Sequence, residues 1–534
     1  MKILRLIISI TATFAVILVS CGCSALGRTS EISGTKSGKI LRILSGSENK
    51  ELSAVIEQCE ESTGVKIEMI YKGSVDIMQE LKNGAADYDA VWTASSLWIS
   101  LGDEKHIVKH DKSICTTPVI FGIKKSVAEK LGFTSGNVSV KDILSAIESK
   151  ELSFCMTSAT QSNSGASAYI GFLYALLGKN SALTNDDLQN SELSGQIRTL
   201  LSGVERGSGS SGWLEDMFLA GNYNAMVNYE CLIIDADKKL VGAGKEPLYA
   251  VYPYDGLSIA DSPLGYLDHG DKDAEEAFLK VQEYLLSDSV QKEIEATGRR
   301  ISLNSVSAQN KSVFNSDWGI DTERILSPIT MPAADVLMNA LNLWQSSFRK
   351  PSLTVYCLDY SGSMRGEGCE QLVNAMSQVL LQENAEKNLL QAGADDINIV
   401  VTFNSDVKNV YYCENSNSDE LKKLYLDVCE EEPGGGTDIY TAAQYAAELI
   451  LGKYDLSKYT PAVILMTDGV SSVLEKEAFA EFCTENGEGI PVFSIMFGSA
   501  REEQLDDIAA LTNARVFDGR TDLVGAFRSV KGYN

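Results

Sequence analysis

Leu353-Thr354-Val355-Tyr356-Cys357-Leu358-Asp359-Tyr360-Ser361-Gly362-Ser363-Met364 decides how the C-terminal third of this chain reads. The mostly apolar run to Leu358 reads as a buried strand, and the polar turn after it sets Asp359, Ser361 and Ser363 at alternate positions. Two related phrases follow. Gly435-Gly436-Thr437-Asp438 precedes a helical pattern, and Thr467-Asp468-Gly469 follows the apolar run 462–466. Strands are expected at 353–358, 397–403, 462–466, 492–497 and 515–517, with helices at 370–382, 439–451, 476–484, 502–511 and 523–530. That alternation implies an α/β domain, a doubly wound, Rossmann-like sheet with both faces covered. In such a sheet, loops at the carboxyl ends of the strands gather where the strand order reverses. Asp359, Ser361, Ser363, Thr437 and Asp468 would meet there as two carboxylates and three hydroxyls, with no thiol or imidazole. Hard oxygen donors of that kind suit a divalent cation, Mg2+ first, with Mn2+ and Ca2+ as alternatives. The plainer alternative is that Asp-x-Ser-x-Ser is only a polar turn.

Working outward, residues 311–351 read as a connector, with a helix from Met331-Pro332 through Trp344 and a stop at Lys350-Pro351. Residues 39–310 also alternate. Ile40-Leu41-Arg42-Ile43-Leu44 reads as a buried strand and Ser45-Gly46-Ser47-Glu48 as a turn, with a helix over 51–63, a strand over 65–71, a helix over 75–83 and a strand over 89–92. Later landmarks are the loop at Ser162-Asn163-Ser164-Gly165, the stretch 221–230, Pro253-Tyr254-Asp255-Gly256, and an amphipathic run over 274–296 that closes on Gly298-Arg299-Arg300. This is a second α/β unit.

Size and charge bound the function. At 534 residues the chain is too long for one core. Its net charge of −27, from 46 basic and 73 acidic residues, excludes the clustered cations that nucleic-acid phosphates require. It also excludes electrostatic adsorption to anionic lipid. Residues 1–20 have the build of a secretory leader, with Lys2 and Arg5 before an apolar stretch that is short for a spanning helix. Leu18-Val19-Ser20-Cys21 resembles a bacterial lipobox, which implies lipidation of Cys21 after cleavage. Residues 21–38 would then be a flexible tether, and the mature protein would face the extracytoplasmic side of a bacterial cell membrane. The alternative is an uncleaved signal anchor. The other cysteines are scattered without metal-ligand spacing, and several sit in apolar runs where Cys packs as a small hydrophobe. With only His106, His110 and His269 present, a zinc site is not expected.

The three C-terminal phrases make residues 352–534 similar to the von Willebrand factor A family. The resemblance implies that Asp359, Ser361, Ser363, Thr437 and Asp468 form a metal-ion-dependent adhesion site, whose coordination is completed by an acidic side chain of a protein partner. The order of elements in 39–310 resembles the type 2 periplasmic-binding-protein fold, two lobes around a ligand cleft. On that resemblance Ser47, Ser95, Ser164 and Asn228 are candidate ligands for a small polar or anionic solute, against the plainer reading that they cap helices and turns. The whole reads as an exported adhesion or recognition lipoprotein. A solute-binding receptor of an ABC-type transport system with an accessory A-type domain is the alternative. No Ser–His or Cys–His pairing and no HExxH motif points to an enzyme. Gly207-Ser208-Gly209-Ser210-Ser211-Gly212 satisfies GxGxxG, but it follows Val204-Glu205-Arg206 and reads as a flexible loop.

Overall fold

The computed structural model describes residues 40–303, 305–486 and 490–533. The expected leader (1–20), Cys21 and the tether (21–38) lie outside the described residues. Among the described residues no helix is long and apolar enough to cross a membrane.

Seventeen strands build three sheets among the described residues. In chain order they are β1 (Ile40–Ser45), β2 (Lys66–Tyr71), β3 (Ala90–Trp92), β4 (Val108–Ser113), β5 (Thr117–Lys124), β6 (Phe154–Thr157), β7 (Val204–Ser208), β8 (Ala225–Tyr229) and β9 (Leu248–Val251). They continue with β10 (Ser258–Ala260), β11 (Pro263–Leu267), β12 (Ser352–Asp359), β13 (Ile397–Phe403), β14 (Val407–Cys413), β15 (Thr460–Thr467), β16 (Val492–Met496) and β17 (Val516–Asp518).

The first lobe is the sheet β2-β1-β3-β11-β4 and the second is β10-β5-β8-β6-β7, with β9 also on β5. The chain passes between lobes after β4, returns between β10 and β11, and passes again after the helix Asp288–Ala296. The three passages lie side by side: Ile114 N–H donates to Ser262 O at 3.1 Å, and Thr116 and Arg300 exchange backbone hydrogen bonds at 2.7 and 2.9 Å. Adjacent arginines at the third passage divide their work. Arg299 donates to the backbone oxygen of Glu48 in the first lobe. Arg300, fully buried, makes a bidentate pair with the buried Glu230 of the second at 2.6 and 2.7 Å.

The lobes are closed on one another. Val75, Met78 and Trp98 of the first share an apolar cluster with Phe121, Tyr169 and Tyr229 of the second. Trp98 Nε1 donates to Asn163 Oδ1 at 2.8 Å across the seam. The helix Ala334–Leu343 joins the same cluster through Val336, Leu337, Ala340 and Leu341. The segment expected as a connector is thus packed onto the second lobe, because its apolar face has nowhere else to be buried.

Two sequence expectations differ from the structure. The run 274–296 is two helices, Lys272–Leu285 and Asp288–Ala296, broken at Leu286-Ser287. The GxGxxG stretch is no flexible loop: β7 runs parallel to β6 and the helix Ser211–Ala220 opens on Ser210, whose hydroxyl accepts from Trp213 N–H. A Cβ at Gly209 would lie 2.1 Å from Gln161 Oε1 and 2.7 Å from Tyr533 Cε2, so this glycine serves close packing.

The third sheet has the order β14-β13-β12-β15-β16-β17, parallel except for β14. Along β12, Leu353, Val355 and Cys357 face the helix Ile439–Lys453, whereas Tyr356 and Leu358 face Glu367–Leu380 and Leu523–Val530. This alternation, with both faces covered, is why the strand is mostly apolar. The order reverses on either side of β12, which places a switch point at the carboxyl ends of β12 and β15.

Candidate functional site

β12 delivers Asp359 to that switch point and β15 delivers Asp468 one residue past its own end. Asp359 is fully buried. Its Oδ1 accepts from Ser361 N–H at 2.7 Å and its Oδ2 from the Thr467 hydroxyl at 2.6 Å. Ser363 Oγ donates to Asp468 Oδ1 at 2.7 Å and lies 3.0 Å from Ser361 Oγ. Thr437 arrives from a separate loop. A Cβ built on Gly469 would meet Thr437 Oγ1 at 3.2 Å and Ser363 Oγ at 3.4 Å, so both oxygens point at the backbone beside Asp468. The five oxygen-bearing side chains singled out in the sequence are therefore brought together.

The loops are held by their own backbone. Gly362 N–H donates to Gly435 O at 3.0 Å and Gly434 N–H to Tyr360 O at 2.8 Å, which ties the loop after β12 to the loop bearing Thr437. Gly435 has φ +87°, a left-handed conformation that a side chain would strain. Asp438 caps the helix Ile439–Lys453, accepting from Tyr440 and Thr441 N–H, and so holds the residue before it at the helix entrance. Tyr360 anchors the other side through its hydroxyl, which donates to Val428 O at 2.6 Å.

Electrostatics favour a cation here. Burial raises the Asp359 carboxyl above its ordinary range; the hydrogen bonds from Thr467 and Ser361 oppose this, and the charge of Asp468 adds to it. Asp468 is raised by burial and lowered by Ser363. Among the described residues no group of three or more His, Cys, Asp or Glu side chains is placed to hold a metal ion, and the switch-point cluster offers two carboxylates with hydroxyls. That all-oxygen set fits a hard divalent cation. The motif assigns Thr467 no role; its position at the last residue of β15, beside Asp359 on the neighbouring strand, is visible only once the strands are paired.

In the first domain the candidates part company. Ser47 and Asn228 come to one seam: Ser210 Oγ donates to Ser47 Oγ at 2.9 Å, and Asn228 Nδ2 donates to Ser211 O at 2.9 Å. Ser95 caps the helix Ser96–Gly102, accepting from Leu97 N–H. Ser164 is fully buried, with its hydroxyl 2.8 Å from Thr157 Oγ1. Glu48, expected in a turn, and Asn49 sit buried at the same seam. Glu48 Oε1 and Asn49 Oδ1 have no hydrogen-bond partner among the described residues. Burial pushes the Glu48 carboxyl up to about 7, opposed by a backbone hydrogen bond and by the charge of Arg299.

Family comparison agrees with this division. Residues 41–300 match the model of the bacterial extracellular solute-binding proteins, and residues 355–523 match that of the von Willebrand factor type A domain. The chain joins a solute-binding-protein domain to a von Willebrand factor A domain. Among solved structures, the ferric binding protein from Campylobacter jejuni is similar at 17% identity, over 57% of this chain and 98% of that one, with a TM-score of 0.41. The periplasmic binding protein AfuA from Actinobacillus pleuropneumoniae, with fructose-6-phosphate bound, is similar at 14% identity, over 59% and 99%, with a TM-score of 0.42. A von Willebrand factor type A protein from Catenulispora acidiphila is similar at 15% identity, over 35% and 43%, with a TM-score of 0.30. No curated protein matches the chain. The solute-binding domain thus contains the closed seam around Ser47 and Asn228, and the A domain contains the switch-point cluster around Asp359.

Proposed function

We propose that the chain is an extracytoplasmic recognition lipoprotein whose A domain binds a divalent cation and, through it, an acidic side chain of a partner protein. The observation that carries this is the convergence of Asp359 and Asp468 with Ser361, Ser363 and Thr437 at the carboxyl ends of adjacent parallel strands. These five residues would hold Mg2+, with Mn2+ or Ca2+ as substitutes, and when bound the cation supplies a Lewis-acidic position for a carboxylate oxygen. The residues' own part is to orient: Thr467 and the Ser361 backbone fix the Asp359 carboxylate, and Ser363 fixes that of Asp468. Val470, Val473 and Leu474, exposed on the loop beyond Asp468, offer apolar contact beside the charged one. Cys21 would carry the lipid, residues 21–38 the tether, 39–310 the solute-binding domain, 311–351 the connector and 352–534 the A domain. The solute domain would take a small polar or anionic molecule, and no catalytic step is proposed.

Capture of partner from membranes in Mg2+ or in EDTA, with wild type and Asp359→Ala, tests the reading. Capture that needs both the metal and Asp359 supports it; capture that persists in EDTA removes it. The alternative, a receptor for an ABC-type permease with an accessory A domain, is favoured by the unpartnered acceptors of Glu48 and Asn49 at the lobe seam. Solute uptake that depends on the chain but survives Asp359→Ala would select it.

A further inference from the structure

The A domain does not merely follow the solute-binding domain; its last residues lie across the mouth of the cleft. Arg528, on the helix Leu523–Val530, donates from Nη2 to Asp76 Oδ1 at 3.0 Å in the first lobe and accepts at its backbone oxygen from Gln161 Nε2 of the second at 2.9 Å. The following Tyr533 is buried, its ring 5.1 Å from that of Trp213 in the second lobe and 5.0 Å from that of Phe517 in the A domain. Trp213 also meets Phe493 of the A domain at 5.9 Å. Two lobes and the A domain together enclose a cavity of about 480 Å3 whose wall includes Ser47, Lys50, Tyr71, Ser210, Arg515 and Thr521.

The charges of this wall are unevenly satisfied. Its four carboxylates are all engaged: Asp76 with Arg528, Glu80 with Lys72, Asp518 with Arg520, and Asp522 as the cap that accepts from Gly525 N–H. Two of its cations are not. Among the described residues neither Lys50 nor Arg515 has a carboxylate at ion-pair distance, although Glu51 and Asp216 face Lys50 from an adjoining cavity of about 540 Å3. Both are instead posed over rings, Lys50 at 5.5 Å from the centre of Tyr71 and Arg515 at 4.8 Å from that of Phe517. The Arg515 Nη1 also donates to the Tyr533 hydroxyl at 3.2 Å. Partial burial and the nearby charge of Arg515 hold the Lys50 ammonium below its ordinary value. Two like charges face one polar cavity, with hydroxyls of Ser47, Ser210 and Thr521 beside them, an arrangement suited to a multivalent acceptor.

We infer that this cavity binds a small multivalent oxyanion, a phosphate or polycarboxylate, between Lys50 of the solute-binding domain and Arg515 of the A domain. The site is incomplete in either domain alone, so its occupant ties the A domain to the closed lobes. A volume of about 480 Å3 is of the order that small ligands occupy. This site rests on the reading of the solute-binding domain as taking a small anionic molecule, and it shares no residue with the metal cluster around Asp359.

The test uses the full chain in metal-free buffer, titrated calorimetrically with inorganic phosphate and with citrate. Wild type, Lys50→Gln and Arg515→Gln are compared; Lys50 lies outside the buried core, and its replacement removes the charge together with the contact over the Tyr71 ring. Saturable binding of at least one anion, weakened tenfold or more by either substitution, supports the site, and the preferred anion separates phosphate from polycarboxylate chemistry. Binding of neither anion, or binding unchanged in Lys50→Gln and in a folded Arg515→Gln, overturns it.

Discussion

Replacing Glu230 by Gln removes one charge of a pair that is fully buried on both sides and leaves the Arg300 guanidinium without a counter-ion. Arg300 Nε and Nη2 donate to the two Glu230 oxygens at 2.6 and 2.7 Å, and the Tyr252 hydroxyl donates to the same carboxylate. The amide keeps the shape, one acceptor oxygen and a wrong-way donor, so the loss is chiefly electrostatic. Breaking one side of a buried pair costs about 3–5 kcal/mol, whereas replacing both partners by apolar groups of similar volume is often neutral. For a domain of this size each kcal/mol lowers the melting temperature by roughly 2–4 °C, which gives a fall of roughly 6–20 °C for the solute-binding domain. Differential scanning calorimetry on Glu230→Gln, Arg300→Met and the pair Glu230→Leu/Arg300→Met is the assay. The singles should both fall in that range and the double should recover most of the loss. A single-variant shift below about 1 kcal/mol, the magnitude of a surface pair, would refute the claim that this bond clamps the third passage between lobes.

Glu48 makes stability depend on pH. Its folded pKa of about 7 lies above the unfolded value of 4.5, so the folded state holds a proton that the unfolded state has lost between those values. Stability from this group is therefore full below pH 4.5 and declines as pH rises to 7, by on the order of 3 kcal/mol in total. Glu48→Gln should flatten that part of the profile in denaturant titrations, and an unchanged profile would assign the slope to other buried carboxyls. Gly469→Val should leave the A domain folded by circular dichroism but weaken Mg2+ at least tenfold, because its side chain would press on Thr437 Oγ1 and Ser363 Oγ, 3.2 and 3.4 Å from the Cβ position. Full-strength Mg2+ binding by Gly469→Val would mean that those hydroxyls are not ligands. Trp213→Ala deletes ring contacts to Phe493 and Tyr533, so limited proteolysis should cut between the domains sooner than in wild type. An unaltered digestion rate would show that Trp213 does not hold the junction.

The A domain was legible because its parallel strands are apolar on both faces and its motifs sit at strand ends, so Asp359, Ser361, Ser363, Thr437 and Asp468 could be named before any strand was paired. β14 was not: its Lys408, Asn409 and Tyr412 are half-exposed or exposed, which dilutes the apolar signal of an antiparallel edge strand. Ser95 and Ser164 carried the right chemistry for a ligand but are used locally, in a cap and in a buried hydroxyl pair, which residue type alone does not distinguish. Glu48 and the Arg300–Glu230 pair were missed for the opposite reason. Their roles depend on partners far along the chain, 70 residues apart for the pair, and no local pattern encodes them. The Tyr533 contact with Trp213 belongs to the same class, since it appears only when one domain is set against the other.

The proposed cation site is the oxygen cluster between β12 and β15. Isothermal titration calorimetry of Mg2+ and Mn2+ into metal-free wild type and Asp359→Ala tests it most directly, with circular dichroism confirming that both are folded. One saturable site per chain is expected in wild type and no measurable heat of binding in Asp359→Ala. Equal titration of the two proteins, or none in wild type with either metal, would contradict it.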